Sequence, residues 1–274
     1  MPTLCVVPTP LRAARAARRL CDAQGGLLFG PVVVTPGALL PGILAASGER
    51  RPILSPLAER LLAVEAGQRA GGSLAGLDPA GGLARSLAAT LAGMRRAEVP
   101  VQAAAEAASD LQGGAAARLT DAVAALGSYE TRLSQLGALD RPAAFREAAR
   151  ALRRGVRSQE TAQIDLLVLE GFRDPAPGEW DLLAALLSRA GRSQARVPYH
   201  ASRPDLCAPA ERLLRRLEAM HEAPGGEIEV VFPAEERAPR LSRVLAGVAG
   251  GKGGVLAEGG KVVGVPGAGI EGEA

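Results

Sequence analysis

Residues 164–190, IDLLVLEGFRDPAPGEWDLLAALLSRA, decide how the fold is read. Asp165-Leu166-Leu167-Val168-Leu169 is a short, almost wholly apolar run, the pattern of a strand buried on both faces. Glu170 and Gly171 end it, and Phe172-Arg173-Asp174-Pro175 turn the chain. A helix follows from about Pro177 to Ala190, with Trp180, Leu183, Leu186 and Leu187 on one face. Open α/β sheets present ligand-facing groups in this way, just outside the carboxyl ends of their strands. Glu170 then has two readings. In a nucleotide-hydrolysing protein an acid at this place holds magnesium; in a plain βα unit it is merely solvated.

The start of the chain uses the same grammar. Leu4-Cys5-Val6-Val7 reads as a strand closed by Pro8-Thr9-Pro10, with Thr9 as cap and Pro10 at the first helical position. The helix runs to about Asp22, with Leu11, Ala14 and Leu20 expected on its apolar side and Arg12, Arg15, Arg18 and Arg19 largely opposite. Those arginines suit either a solvated face or contacts to a nucleic-acid backbone. Residues 31–34, PVVV, form a second strand, and Thr35-Pro36 repeats the cap-and-proline device before a helix over 39–46. Strand, Thr-Pro and helix thus occur twice, which is the βαβα order of a parallel sheet.

From residue 55 to about 155 strand candidates vanish, and Ala, Leu, Arg and Glu recur at helical spacing. Helices are expected from Ser55-Pro56 to about Ala70, from Asp78-Pro79 with Leu83, Leu87, Leu91 and Met94 as its stripe, over 101–111, over 115–136, and from Asp140-Arg141-Pro142 to about Arg154. An all-helical block between strands predicts an inserted subdomain. Beyond the central stretch, 195–200 is a strand candidate, 208–221 an arginine-rich helix and 228–232 a further strand. The glycine-rich tail from Ala246 reads as a linker into something longer.

Composition narrows the classes. The chain has 274 residues, 47% apolar, with 32 basic residues against 29 acidic ones and a net charge of +3. That predicts a globular protein rather than a disordered one, and no nucleic-acid signature from charge alone. All basic residues but Lys252 and Lys261 are arginines, the cation best matched to phosphate. Aromatics at 3% argue against a base-stacking single-strand binder. Cys5, Cys21 and Cys207 are scattered, His200 and His221 equally so, and no metal spacing joins them. No secretory leader or apolar span is evident, which predicts a cytoplasmic protein with no membrane partner. Residues 247–254, GVAGGKGG, imitate a phosphate loop but lack both the GxxxxGK[ST] spacing and a following helix.

With these residues in view, the order of elements resembles the N-terminal part of a superfamily 1 helicase domain, most closely that of AddB-type helicase/nuclease B subunits of the PD-(D/E)XK nuclease class. Residues 4–20, LCVVPTPLRAARAARRL, are similar to that family's strand and helix carrying a "vPT" element. Residues 32–40 are similar to its next strand, where active helicases contact single-stranded DNA. Glu170-Gly171-Phe172 and Pro177-Gly178-Glu179 resemble a degenerate Walker B segment, with Glu for the usual Asp, and residues 262–274 resemble the entry into a second helicase-like domain. Two departures stand out. No Walker A precedes the first strand, and the acidic pair of a working motif is reduced to Glu170 before Gly171.

The resulting expectation is an α/β, parallel-sheet, P-loop-NTPase-like domain in two parts, 1–54 and 156–235, with a helical insertion at 55–155 and a linker over 236–274. The resemblance implies an ATPase-inactive scaffold that guides DNA, a single-stranded tail or duplex end, beside a helicase/nuclease partner subunit in double-strand-break processing. ATP and magnesium would then belong to the parent complex, with no cofactor in this chain. Thr9, Arg12, Arg15 and Thr35 are the DNA-contacting candidates, and Glu170 is the Walker B-like remnant. The rival readings are an active P-loop ATPase whose phosphate loop escapes recognition, and a non-enzymatic α/β interaction module.

Overall fold

The apolar runs that open the chain and that precede Glu170 pair directly with each other. In a computed structural model, which describes residues 2–23, 32–198, 207–221 and 228–231, β1 (Thr3–Val6) lies parallel to β3 (Leu166–Glu170), with Leu4 opposite Leu167 and Val6 opposite Leu169. The other edge of β1 takes β2 (Val32–Val34). β4 (Arg192–Arg196) and β5 (Ile228–Val231) continue beyond β3. The order β2-β1-β3-β4-β5 is parallel throughout, so β1 and β3 are both interior. The chain is therefore an α/β protein with helical parts attached to one parallel sheet. The glycine-rich tail, the GVAGGKGG stretch, residues 262–274 and His200 lie outside the described residues.

Helices cover both faces. α1 (Pro10–Ala23) packs on the face carrying Cys5, Val7 and Val168. α2 (Pro36–Ala46), α7 (Arg141–Arg153), α8 (Pro177–Leu187) and α9 (Ala208–His221) share the opposite core with Leu4, Val6, Leu167 and Leu169. The apolar side expected for α1 is corrected. Leu11 is 53% exposed and Ala14 faces solvent, while Ala16 is buried with Ala13 packed beside it. Alanine lets the helix approach the sheet more closely than leucine would, and Arg12 and Arg19, about one turn to either side of Ala16, reach Gly171 and Glu170 at the end of β3.

Two boundaries move. The strand expected at 195–200 is Arg192–Arg196, RSQAR, a run with no apolar pattern. Only Ser193 and Ala195 are buried, so β4 needs small residues on one face and tolerates Arg, Gln and Arg on the other. The helix expected from Asp78-Pro79 starts later, as α4 (Gly82–Arg96). The Asp78 carboxylate accepts the Ala80 N–H at 3.0 Å and its carbonyl accepts the Gly81 N–H at 3.0 Å, closing a turn before the helix begins.

The helical block also divides. The Leu54 N–H donates to Leu139 O at 2.8 Å and the Leu139 N–H to Pro52 O at 2.9 Å, a bridge that pinches the chain at a neck. Between the two arms, α3 (Pro56–Ala70), α4, α5 (Val101–Ser109) and α6 (Gly113–Gln135) follow one another, and α3, α4 and α6 build a separate core of Leu62, Leu87, Leu91, Leu126, Tyr129 and Leu133. α7, expected inside the block, instead contributes Phe145, Ala148, Ala149 and Leu152 to the main core. Its alanines allow it to nest against α8, so the separate core ends near 139 rather than 155.

Candidate functional site

The strand order makes β1 and β3 the switch point of the sheet: from β1 the chain moves outward to β2, and from β3 outward to β4. The crevice at such a point, beyond the carboxyl ends, is where α/β sheets of this order bind ligands. The Val7 N–H donates to Val34 O at 3.0 Å, so β1 and β2 finish level, and Thr9 and Thr35 leave from one edge. Thr9 Oγ1 accepts the Arg12 N–H at 3.3 Å and caps α1. Thr35, the residue before α2, makes no such side-chain bond; its carbonyl takes the Ala38 N–H at 3.0 Å. Arg12 reaches the same edge, its guanidinium packed on Gly171, which adopts φ +81° just after β3. Arg15 is exposed, with no ion pair among the described residues.

Glu170 is neither merely solvated nor free. One carboxylate oxygen is ion-paired with Arg19 of α1, the other with Arg196 of β4 at 3.5 Å, and the side chain is 21% exposed. Cys5 lies beneath; burial first, then the Glu170 charge, push its thiol up to about 11, so it stays protonated and unreactive at neutral pH. A magnesium ion needs carboxylate oxygens not already claimed by cations. This corner, one acid between two guanidinium groups, does not fit one. The neighbouring acids are also engaged: Asp174 pairs with Arg212 at 2.6 Å, Asp181 with Arg153 at 3.2 Å, and Glu179 accepts the Ala176 N–H at 3.3 Å at the start of α8. Among the described residues, no group of three or more His, Cys, Asp or Glu is placed to hold a metal ion.

On the other side of the switch point the edge opens into a cleft of about 660 Å³. Pro8 and Pro10 from the turn after β1, and Ala176, Gly178 and Glu179 from the start of α8, form one wall. α3, α4 and α7 supply the others. Its buried anchor is Asp140, 1% exposed, whose carboxylate accepts the Ala143 N–H at 2.9 Å, capping α7, and Arg95 Nε at 2.7 Å. Arg95 also donates to Glu130 at 2.5 Å. Glu59 accepts the backbone N–H of Arg141 at 2.8 Å; burial, opposed by that bond and helped by the nearby Asp140 charge, raises its pKa above the ordinary glutamate value. Burial likewise raises the Tyr129 phenol.

Four lining arginines, Arg60, Arg85, Arg96 and Arg141, have no ion pair among the described residues. Arg141 rests over the Phe145 ring, 5.9 Å from its centroid. Sequence reasoning missed these residues, though a signal exists. Arg85 and Arg96 stand three helical turns apart with Ala88, Ala89 and Ala92 between them on the same stripe. Pro56, Glu59, Arg60 and Ala63 form the matching stripe on α3. Neither a protein-family model nor a curated protein matches the chain.

Proposed function

We propose that this chain is the N-terminal, helicase-like, non-hydrolysing part of an AddB-type helicase/nuclease subunit, a scaffold that guides a DNA tail along the carboxyl edge of its sheet. The observation that carries the reading is the chemistry of that edge. The capping turn at Thr9, the unengaged side chain of Thr35 at the start of α2 and the Arg12 guanidinium converge there, while the single acid in the Walker B-like position is neutralised by Arg19 and Arg196. Helix starts offer N–H groups to phosphate, and arginine adds charge. Among the described residues, nothing at the edge replaces the glycine loop and lysine that cradle the β- and γ-phosphates in an ATPase, and the 274 residues contain no GxxxxGK[ST]. The DNA-processing partner subunit and the nuclease belong to the same proposal.

Fluorescence anisotropy with a tailed duplex across a salt series tests it. Wild type binds weakly, as suits a net charge of +3, with a log–log slope near −0.7 per phosphate neutralised on a single strand. Arg12→Ala/Arg15→Ala lowers affinity severalfold and flattens the slope, with its melting temperature recorded alongside because Arg12 packs on Gly171. Unchanged affinity and slope rule out this DNA path; no binding by either protein favours an interaction module.

A further inference from the structure

The cleft beside the switch point is chemically unlike the strand-guiding edge, and we infer that it is a binding site for one phosphate-bearing nucleotide. Three features converge. Its volume, about 660 Å³, lies within the roughly 300–1,000 Å³ typical of small-ligand sites. Its cations outnumber its acids: Arg60 from α3, Arg85 and Arg96 from α4 and Arg141 from α7 make no ion pair among the described residues, although Arg85 donates to Ala80 O at 3.3 Å and Glu59 lies near enough to Arg141 to feel its charge. Like charges gathered around one cavity repel each other, and an anion in the cavity removes that repulsion. Guanidinium groups from three directions suit the oxygens of a phosphate.

The remaining walls suit a nucleoside rather than a bare anion. Pro8, Pro10 and Pro56, with Ala89 and Ala92 of α4, offer accessible apolar surface for a base. Glu59 and Glu179 offer carboxylate acceptors for ribose hydroxyls or a base amino group. Asp140 and Arg95 hold α4 against α7 beneath the cleft, so the cations sit on a fixed frame instead of on loops. The same chemistry is offered by a free nucleotide and by the phosphorylated end of a DNA strand. The inference goes beyond the strand-guiding reading and shares no residue with its test, so either can fail alone.

Two fluorescent probes decide it: a labelled ATP analogue, and a short oligonucleotide labelled at its 3′ end with either a 5′-phosphate or a 5′-hydroxyl. Arg60→Ala/Arg96→Ala removes two exposed cations. Ala92→Trp fills the cleft from an exposed helical position and leaves charge untouched. Saturable binding of at least one phosphorylated probe is expected, weakened roughly tenfold or more by each variant, and unaffected by Arg12→Ala/Arg15→Ala. Binding of the ATP analogue with competition by inorganic phosphate identifies a free nucleotide as the ligand. Preference for the 5′-phosphorylated strand, without ATP binding, identifies a strand end. The inference is overturned if neither phosphorylated probe binds saturably at low salt, or if both cleft variants, folded by circular dichroism, bind as wild type does.

Discussion

The carboxyl end of β3 and the cleft a few residues away both set acids among arginines, with opposite outcomes. At β3 the acid is outnumbered and consumed: Glu170 takes Arg19 and Arg196, and the arrangement is closed to a metal. In the cleft one acid, Asp140, is fully buried and consumed by Arg95, while Arg60, Arg85, Arg96 and Arg141 make no ion pair among the described residues. The same residue types thus serve to neutralise a site in one place and to charge one in the other. What separates them is geometry. Both draw on elements far apart in sequence; at the strand end the two cations reach the acid itself, whereas in the cleft the acid is buried beneath and only Arg95 reaches it.

That contrast breaks most sharply at Asp140. Asp140→Ala removes the α7 cap and leaves the half-buried Arg95 with Glu130 alone. A broken buried ion pair typically costs about 3–5 kcal/mol, and the lost cap, about 1 kcal/mol by itself, falls within that loss. Urea unfolding measures it; Asp140→Asn, which keeps an acceptor for the Ala143 N–H, should lose about 1 kcal/mol less. A cost below about 1 kcal/mol for the alanine variant would mean that Asp140 does not anchor the cleft.

Glu170→Gln sharpens the other half. Its partners are largely exposed, and such pairs contribute about 0–1 kcal/mol, so the variant should unfold within about 1 kcal/mol of wild type. Because the acid is already neutralised by two guanidinium groups, neither protein should show magnesium-dependent, DNA-stimulated ATP hydrolysis above background. Activity in the wild type that Glu170→Gln abolishes would overturn both the non-hydrolysing reading and the view of this corner as closed.

The difference between the two regions also marks what the sequence discloses. Leu4–Val7 and Leu166–Leu169 announce interior parallel strands because residues buried on both faces must all be apolar; Thr9 and Ser55 mark helix starts as side-chain caps, whereas Thr35-Pro36 does so through its proline at the first helical position alone. RSQAR hides β4, since a strand covered by small residues on one face carries no apolar run. The apolar face of α1 misleads for a related reason: alanine at 16 outcompetes leucine at 11 when the helix must lie close to the sheet. The positions of Thr9 and Thr35 at the carboxyl edge are legible because both lie in the turns that leave parallel strands, and Arg12 follows in the first turn of α1. The pairing of Glu170 with Arg19 and Arg196 is not, since the partners are 151 and 26 residues away. The cleft is harder still, for it exists only once the neck at Leu54 and Leu139 folds α3 and α4 back over the sheet edge.

The smallest expected effect tests the cleft's electrostatics from its acidic side. Glu59 is half-buried near Asp140, and its pKa is raised above the ordinary value of 4.5, with burial the main cause. The folded protein therefore holds this proton at a pH where the unfolded chain has released it. Between 4.5 and the higher folded value the folded state binds more protons, so Glu59 costs stability increasingly as pH rises through that window. Above the window the cost is constant; below 4.5 it vanishes, because both states are protonated. Glu59→Gln removes the titration and keeps an oxygen to accept the Arg141 N–H, which Glu59 binds at 2.8 Å. The variant should equal wild type in stability near pH 4 and exceed it at pH 7, by about 0.5 kcal/mol or less, the scale of relieved like-charge pairs. Thermal unfolding of both proteins from pH 4 to 8 measures the crossing. A variant less stable at pH 7 would show that the arginines around the cleft hold Glu59 as a favourable carboxylate, and that fewer of their charges are left for a ligand.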